Sequence, residues 1–448
     1  MCIRDRIMQC AVSVRPGKWF RGINLDPELF RNGSLHRDLL DEWLGDTPAF
    51  ISSFKGFYSW VNTAVLEIAG IDETTPNPEK GEIQRDAESG RLTGVLFHEA
   101  VGIPYQLVPQ PDTDGLLVAL SRASDMAHRY GITSSSEARL TPEHHVAYME
   151  AERSGALQLR VVASQAWDWQ RGAEQFEEIL ARSVEAGGGR YSASSVKLFL
   201  DGSSNRSGAM LSPYEGTTDD YGTLNYQDDT LNGIAQMVDS SGMQLHMHAY
   251  GDAAVRQGLD ALEHAGNKNP GWDRRHVLAH LALIDEADLP RFSELNVVAN
   301  ISSLWACLDE YRADEIKSLG QERSERLLAY RDLFGSGARV TASSDWISDS
   351  MNPLYSIQVA LTRVCPGTDE PSWLPDQRVS LEEMLRAYTI NGAWQFGMED
   401  EIGSIEVGKA ADLVVLDRNL FKTDPMDIFN VSVLLTILEG KEVFRSED

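Results

Sequence analysis

Four residues of types that bind metals or move protons lie at or near the ends of short β-branched runs. They are Lys197 in SSVKLFLDG, His248 in MQLHMHAYG, His280 in RHVLAHLAL and Asp345 in ARVTASSDW. Neutral imidazoles and carboxylates are ligands suited to zinc and similar divalent metals. An aspartate beside a metal-bound water also serves as a general base, because the metal lowers that water's pKa. Lys197 is the odd member, since a dication repels an ammonium. It fits if the amine takes up carbon dioxide and becomes an anionic carbamate; otherwise it is a charged electrophile or a partner of Asp201. Each residue also has a plain structural reading. A lone buried histidine is more often hydrogen-bonded structure than ligand. Lys197 can snorkel from a strand end, and Asp345 can cap the helix that follows it. Four such residues, each on a different strand, make a much rarer coincidence than any one of them.

The other histidines read differently. His246 shares the strand face of His248 two residues deeper, which suits packing or support of a ligand. His264 in a helix and His276 at a strand start read as structural, and the neighbouring His144 and His145 as surface residues at a helix start. Asp252, just past the strand tip, suits an N-cap.

The elements that must position these groups follow a rhythm from residue 131 onward. Seven β-branched runs recur: 131–138, 157–165, 194–202, 243–251, 275–283, 295–302 and 338–346. Helix-like stretches such as AEQFEEILARSVEA and DAAVRQGLDALEHA separate them. Repeated strand–helix alternation means a parallel sheet with crossover helices, and in a barrel the catalytic groups gather at the C-terminal strand ends. Seven strands is one short of a closed (β/α)8 barrel. Residues 18–115 lack this beat and read as a long insertion or cap. The barrel is assigned to 116–395, and the alternating, glycine-punctuated 396–448 to part of a small β-sandwich. Residues 1–17 read as a non-native or disordered start in which no element begins.

Forty lysines and arginines against 68 aspartates and glutamates leave a formal charge of −28. That field repels polyanions, so nucleic acid and anionic membranes are poor partners and a small-molecule substrate is expected. No stretch is apolar enough to span a bilayer. Four scattered cysteines without a CxxC pair read as reduced thiols of a cytoplasmic protein.

The stretches VKLFLDGSSNRSGAML, LHMHAYGDAAVRQGLDALEHA, RRHVLAH, SSDWISDSMNPLYSIQVALTR and GSIEVGKAADLVVLD resemble the amidohydrolase superfamily. The resemblance is closest to amidohydrolase family 3, the YtcJ-like metal-dependent hydrolases that include N-substituted formamide deformylase. It runs from about residue 17 to the C-terminus. It implies a TIM-like (β/α)8 barrel with one or two divalent ions, zinc first and iron or manganese as alternatives, and a β-sandwich built from both chain ends. The implied reaction is hydrolysis of amide-like carbon–nitrogen bonds. By resemblance His248 and His280 match metal ligands, Asp345 the ligand and proton-transfer aspartate, and Lys197 the lysine that is carboxylated to bridge metals. Arg206, Trp305 and Tyr311, read from their place in the strand-end loops and not from the resemblance, are candidate substrate contacts that read equally well as surface or core.

Two departures stand out. The family's first barrel strand ends in His-x-His, whereas this chain's one such pair is 246–248 and its first histidine is His36. The absent strand is therefore read as the family's first, lost by truncation. Its loss would bare two sheet edges, a surface for self-association, and remove the ligands of one metal position. In FKGFYSWVN (54–62), Lys55 and Phe57 replace an acid and a histidine of relatives while Trp60 and Asn62 remain. Two other functions stay open, the first of which leaves the strand-end histidines without a role. A barrel glycosidase would need two neighbouring carboxylates and no metal. A metal-poor relative would keep a binding or regulatory role.

Overall fold

The computed structural model describes the chain except residues 1–2, 13, 15–16, 26–28, 30–34, 54–57, 79–80, 170, 204–205 and 448. Lys55 and Phe57 thus lie outside the described residues. Two compact units meet in sequence between Asp112 and Thr113.

The first unit opens with a helix, Ile3–Ala11, that buries Ile7 where no element was expected. It then builds a five-stranded sheet from β1 (Phe20–Leu25), β2 (Ala49–Ser53), β3 (Tyr58–Val61), β4 (Gly81–Arg85) and β5 (Leu92–His98), in the order β1-β2-β3-β5-β4. Only β1 and β2 run parallel. Strand alternation gives the sheet two buried faces: Phe50 and Val61 pair on one, Ile51 and Trp60 on the other. Trp60 and Asn62 are fully buried. Asn62 Oδ1 accepts from Ala49 N and Val65 N, and its Nδ2 donates to the carbonyls of Gly45 and Thr47. Both residues retained in FKGFYSWVN are therefore structural.

The second unit contains the expected parallel sheet: β6 (Ser134–Leu140), β7 (Arg160–Ala166), β8 (Tyr191–Phe199), β9 (Gln244–Ala249), β10 (Val277–His280), β11 (Val298–Ile301) and β12 (Arg339–Ala342). The strands lie in unbroken chain order, every pair parallel. This is the (β/α) sheet of a TIM-like barrel. Its outer face is apolar: Val196, Leu198, Leu245, Met247 and Leu278 share one cluster with Leu231, Val238, Leu259 and Leu262 of the crossover helices Asp228–Ser240 and Asp252–Lys268. The inner face is concave. Ser164 of β7 and His246 of β9 hydrogen-bond at 2.9 Å although β8 lies between them. A flat sheet would hold those strands roughly 10 Å apart, at ~4.8 Å per neighbour.

At the N-terminal end of this face the helix Ile390–Gln395 inserts Trp394 against Val277 and Val298. Thr341 Oγ1 donates to Gln395 Oε1 beside it. A three-stranded antiparallel sheet, β13 (Leu413–Leu416), β14 (Val433–Leu438) and β15 (Lys441–Arg445), belongs to the same unit. Arg160 of β7 ties the two sheets through Asp412 (2.6 Å) and Glu439 (3.0 Å).

Two cysteines correct the sequence reading. Cys307 and Cys365 form a disulfide, with Cα atoms 5.1 Å apart across 58 residues of chain. The loop after β11 and the end of the helix Pro353–Thr362 bring them together, a proximity no local motif announces. Asp252 is not the N-cap of its helix: Gly251 takes that place, and Asp252 Oδ1 accepts from Leu211 N at 2.8 Å. His145 is buried rather than on the surface, against Tyr191 OH at 3.0 Å and Glu185 at 3.2 Å. Among the described residues no helix is long and apolar enough to cross a membrane.

Candidate functional site

The strand ends of β8, β9 and β10 converge on a pair of imidazoles. His248 and His280 are both buried, with ring centroids 4.6 Å apart. His248 reaches this place by ordinary alternation on β9, on the concave face with His246. His280 does not. Its register partner is Ala249, so alternation alone would aim it at the helices. A left-handed backbone, φ +79° at His280 and +53° at Leu281, turns the ring back beside His248. For non-glycine residues that conformation costs about 1–3 kcal/mol each and persists where the surroundings enforce it.

Each imidazole is held through Nδ1, and among the described residues Nε2 has no hydrogen-bond partner, which leaves it as the nitrogen available to a ligand. His248 Nδ1 lies 3.0 Å from Asp201 Oδ1, and His280 Nδ1 lies 3.4 Å from Ser302 Oγ. A histidine anchored at one nitrogen and bare at the other is the usual arrangement of a metal-binding imidazole. Burial holds the His280 pKa well below its usual range, reinforced by His248, Lys197 and His246. The ring is therefore neutral and has a lone pair to give. His246 is depressed the same way, first by burial and then by Lys197 and His248.

Lys197 is in register with His246 and almost fully buried. Burial brings its ammonium down to about 8, with the charge of Asp345 pulling upward. Such a lysine carries an appreciable neutral-amine fraction near pH 8, the form that reacts with carbon dioxide. It is not paired with Asp201, whose two oxygens already receive His248 and three backbone N–H groups. Asp345 lies three residues past β12, half-buried, in a left-handed conformation with φ +52°. Among the described residues no three His, Cys, Asp or Glu side chains stand together as a metal site. The imidazole pair needs Lys197, as carbamate, or Asp345 to complete a ligand set, and the donor types present fit a divalent metal.

Aromatic rings extend this wall along four strand ends. Phe199 lies 5.4 Å from His248, and Trp305 stacks on His280 at 5.2 Å with an 8° interplanar angle. Trp305 is thus the one expected substrate contact placed against the pair. Arg206 is exposed and engages Glu215 O and Asp220 within its own loop. Tyr311 donates to Ser203 O. Sequence reasoning weighed Asp201 as a strand-end group and a partner of Lys197 rather than of His248, and it gave Ser302 and Phe199 no role.

The chain matches the amidohydrolase family over residues 3–444 and belongs to it. It is a hydrolase of that family. It is 28% identical over 449 residues to Protein LONG AFTER FAR-RED 3 of Arabidopsis thaliana, covering 96% of this chain and 75% of that protein. Putative amidohydrolase YtcJ of Bacillus subtilis is 27% identical, covering 99% and 83%. N-substituted formamide deformylase of Arthrobacter pascens is 26% identical, covering 96% and 79%. The fold matches a metal-dependent hydrolase from Pyrococcus horikoshii with a TM-score of 0.73 at 21% identity, covering 94% of this chain and 80% of that one.

Proposed function

We propose that this protein hydrolyses a carbon–nitrogen bond of a small neutral amide with the help of a divalent metal, zinc in the first instance. The observation that carries the reading is the imidazole pair, each ring pinned at Nδ1 with Nε2 left over. His248 and His280 would hold the ion, with Lys197 as carbamate and Asp345 completing its surroundings. When bound, a divalent cation supplies Lewis acidity, polarising a carbonyl and making water a stronger acid.

The chain's own residues do the rest. Asp345 takes a proton from the attacking water and returns it to the departing nitrogen, so that an amine leaves rather than an amide anion. Until Lys197 takes up carbon dioxide, its ammonium and the Asp345 carboxylate attract each other. Phe199 and Trp305 flank the reaction centre with apolar rings, which exclude water and favour an uncharged substrate over a zwitterion. Kinship with a deformylase of N-substituted formamides makes formamides the first amides to try. The test is release of amine from a panel of N-substituted formamides and acetamides, by the chelated protein and again after zinc, iron or manganese is restored. Turnover that returns with metal, and is absent in Asp345→Asn, supports the reading. Turnover insensitive to chelation would overturn it.

A further inference from the structure

Asp201 lies two residues past β8 and its side chain is inaccessible to solvent. It joins three parts of the chain. Oδ1 accepts from His248 Nδ1 at 3.0 Å and from Tyr250 N at 2.9 Å. Oδ2 accepts from Gly251 N and Ala209 N, each at 2.9 Å. Ala209 lies in the loop after β8, Tyr250 and Gly251 in the loop after β9. Those loops touch backbone to backbone: a Cβ on Gly251 would stand 2.1 Å from Ala209 O. Glycine at 251 is therefore what lets both loops present their N–H groups to one carboxylate.

An ionised carboxylate can only accept. With all four of its contacts coming from donors, the proton of a neutral His248 must sit on Nδ1. The opposite tautomer would set a nitrogen lone pair against Oδ1. We propose that Asp201 is the positioning residue that holds His248 as its Nδ1–H tautomer, with the bare Nε2 turned to the strand mouth, and that the loops after β8 and β9 fix Asp201 for this task. The proposal rests on the reading of His248 as a metal ligand.

Asp201→Asn makes the logic testable, because an amide has only one oxygen. Placed at Oδ2 it keeps the Ala209 and Gly251 N–H bonds and points its NH2 at His248, with one conflict at Tyr250 N. Placed at Oδ1 it keeps His248 and Tyr250 but opposes two backbone donors. One conflict is less costly than two, so the variant favours an NH2 that donates to His248 Nδ1 and drives the ring proton to Nε2.

The experiment uses the whole chain with 15N-labelled histidine side chains, metal-free, observed by long-range 1H–15N NMR. The His248 signals among the ten histidines are those lost in His248→Ala. Wild type is expected to show protonated Nδ1 and bare Nε2, and Asp201→Asn the reverse. Zinc affinity by chelator competition is expected to fall about 10–100-fold in the variant. A wild-type ring protonated at Nε2, or an Asp201→Asn protein that folds and binds zinc as tightly as wild type, overturns the proposal. Should the variant not fold, the wild-type spectrum decides alone. An Nδ1–H tautomer in a wild-type protein that takes up no zinc would sustain the role of Asp201 while defeating the metal reading of the site.

Discussion

The disulfide between Cys307 and Cys365 can be tested with a magnitude attached. The perturbation is its removal, by reductant or by the double substitution C307A/C365A; alanine avoids burying a hydroxyl where Cys307 is 6% exposed. A bond across 58 residues confines the unfolded chain, and the loop-entropy relation gives about 4 kcal/mol at 25 °C. The bond also bears on the site, for Cys307 follows Trp305 by two residues and Trp305 lies flat on His280. Urea unfolding of wild type with and without thiol reductant, beside the double variant, measures the effect. Reductant should destabilise wild type by about the amount the substitutions do, and should leave C307A/C365A unmoved. Wild type indifferent to reductant, with both thiols open to alkylation in the native protein, would show that Cys307 and Cys365 are not bonded.

Other expectations follow from neighbouring features. Burial pushes the Asp239 carboxyl up, but hydrogen bonds from His276, Arg274 and Asn269 outweigh it and hold the group at about 2 against an ordinary 3.8. That contribution to stability is present above about pH 4 and is lost as pH falls towards 2, so thermal melts of wild type should steepen there relative to Asp239→Asn; parallel profiles would contradict it. Gly251→Ala drives a Cβ into Ala209 O and should cost about 1–3 kcal/mol in denaturant unfolding; an unchanged midpoint would show that the two loops are not in contact. Trp305→Ala removes the ring stacked on His280 and should lower kcat/KM about two- to twelve-fold, equivalent to about 0.5–1.5 kcal/mol, with Trp305→Phe intermediate.

Much of this was readable in the chain because period and punctuation are local. All seven parallel strands fall within or overlap the β-branched runs, and His248 declares its face by alternation from His246. What was not readable depends on residues distant in sequence. Asp201 gains its meaning from N–H groups 8, 49 and 50 residues away. His145 is buried because Tyr191, 46 positions on, reaches its Nδ1. His280 was picked for its place at a strand end, yet register would send it to the wrong face, and only its left-handed backbone returns it to His248. The first unit showed no βα beat for the reason now visible, a short-stranded sheet mixing one parallel pair with antiparallel ones.

The proposed activity depends above all on His248 and His280 holding a metal ion between them. Elemental analysis of purified wild type, His248→Ala and His280→Ala, each confirmed folded, tests it most directly. Near-stoichiometric zinc, iron or manganese is expected in wild type, and its loss in both variants. Folded wild-type protein that takes up no metal, or variants that keep it, would show that the two imidazoles do not hold the ion.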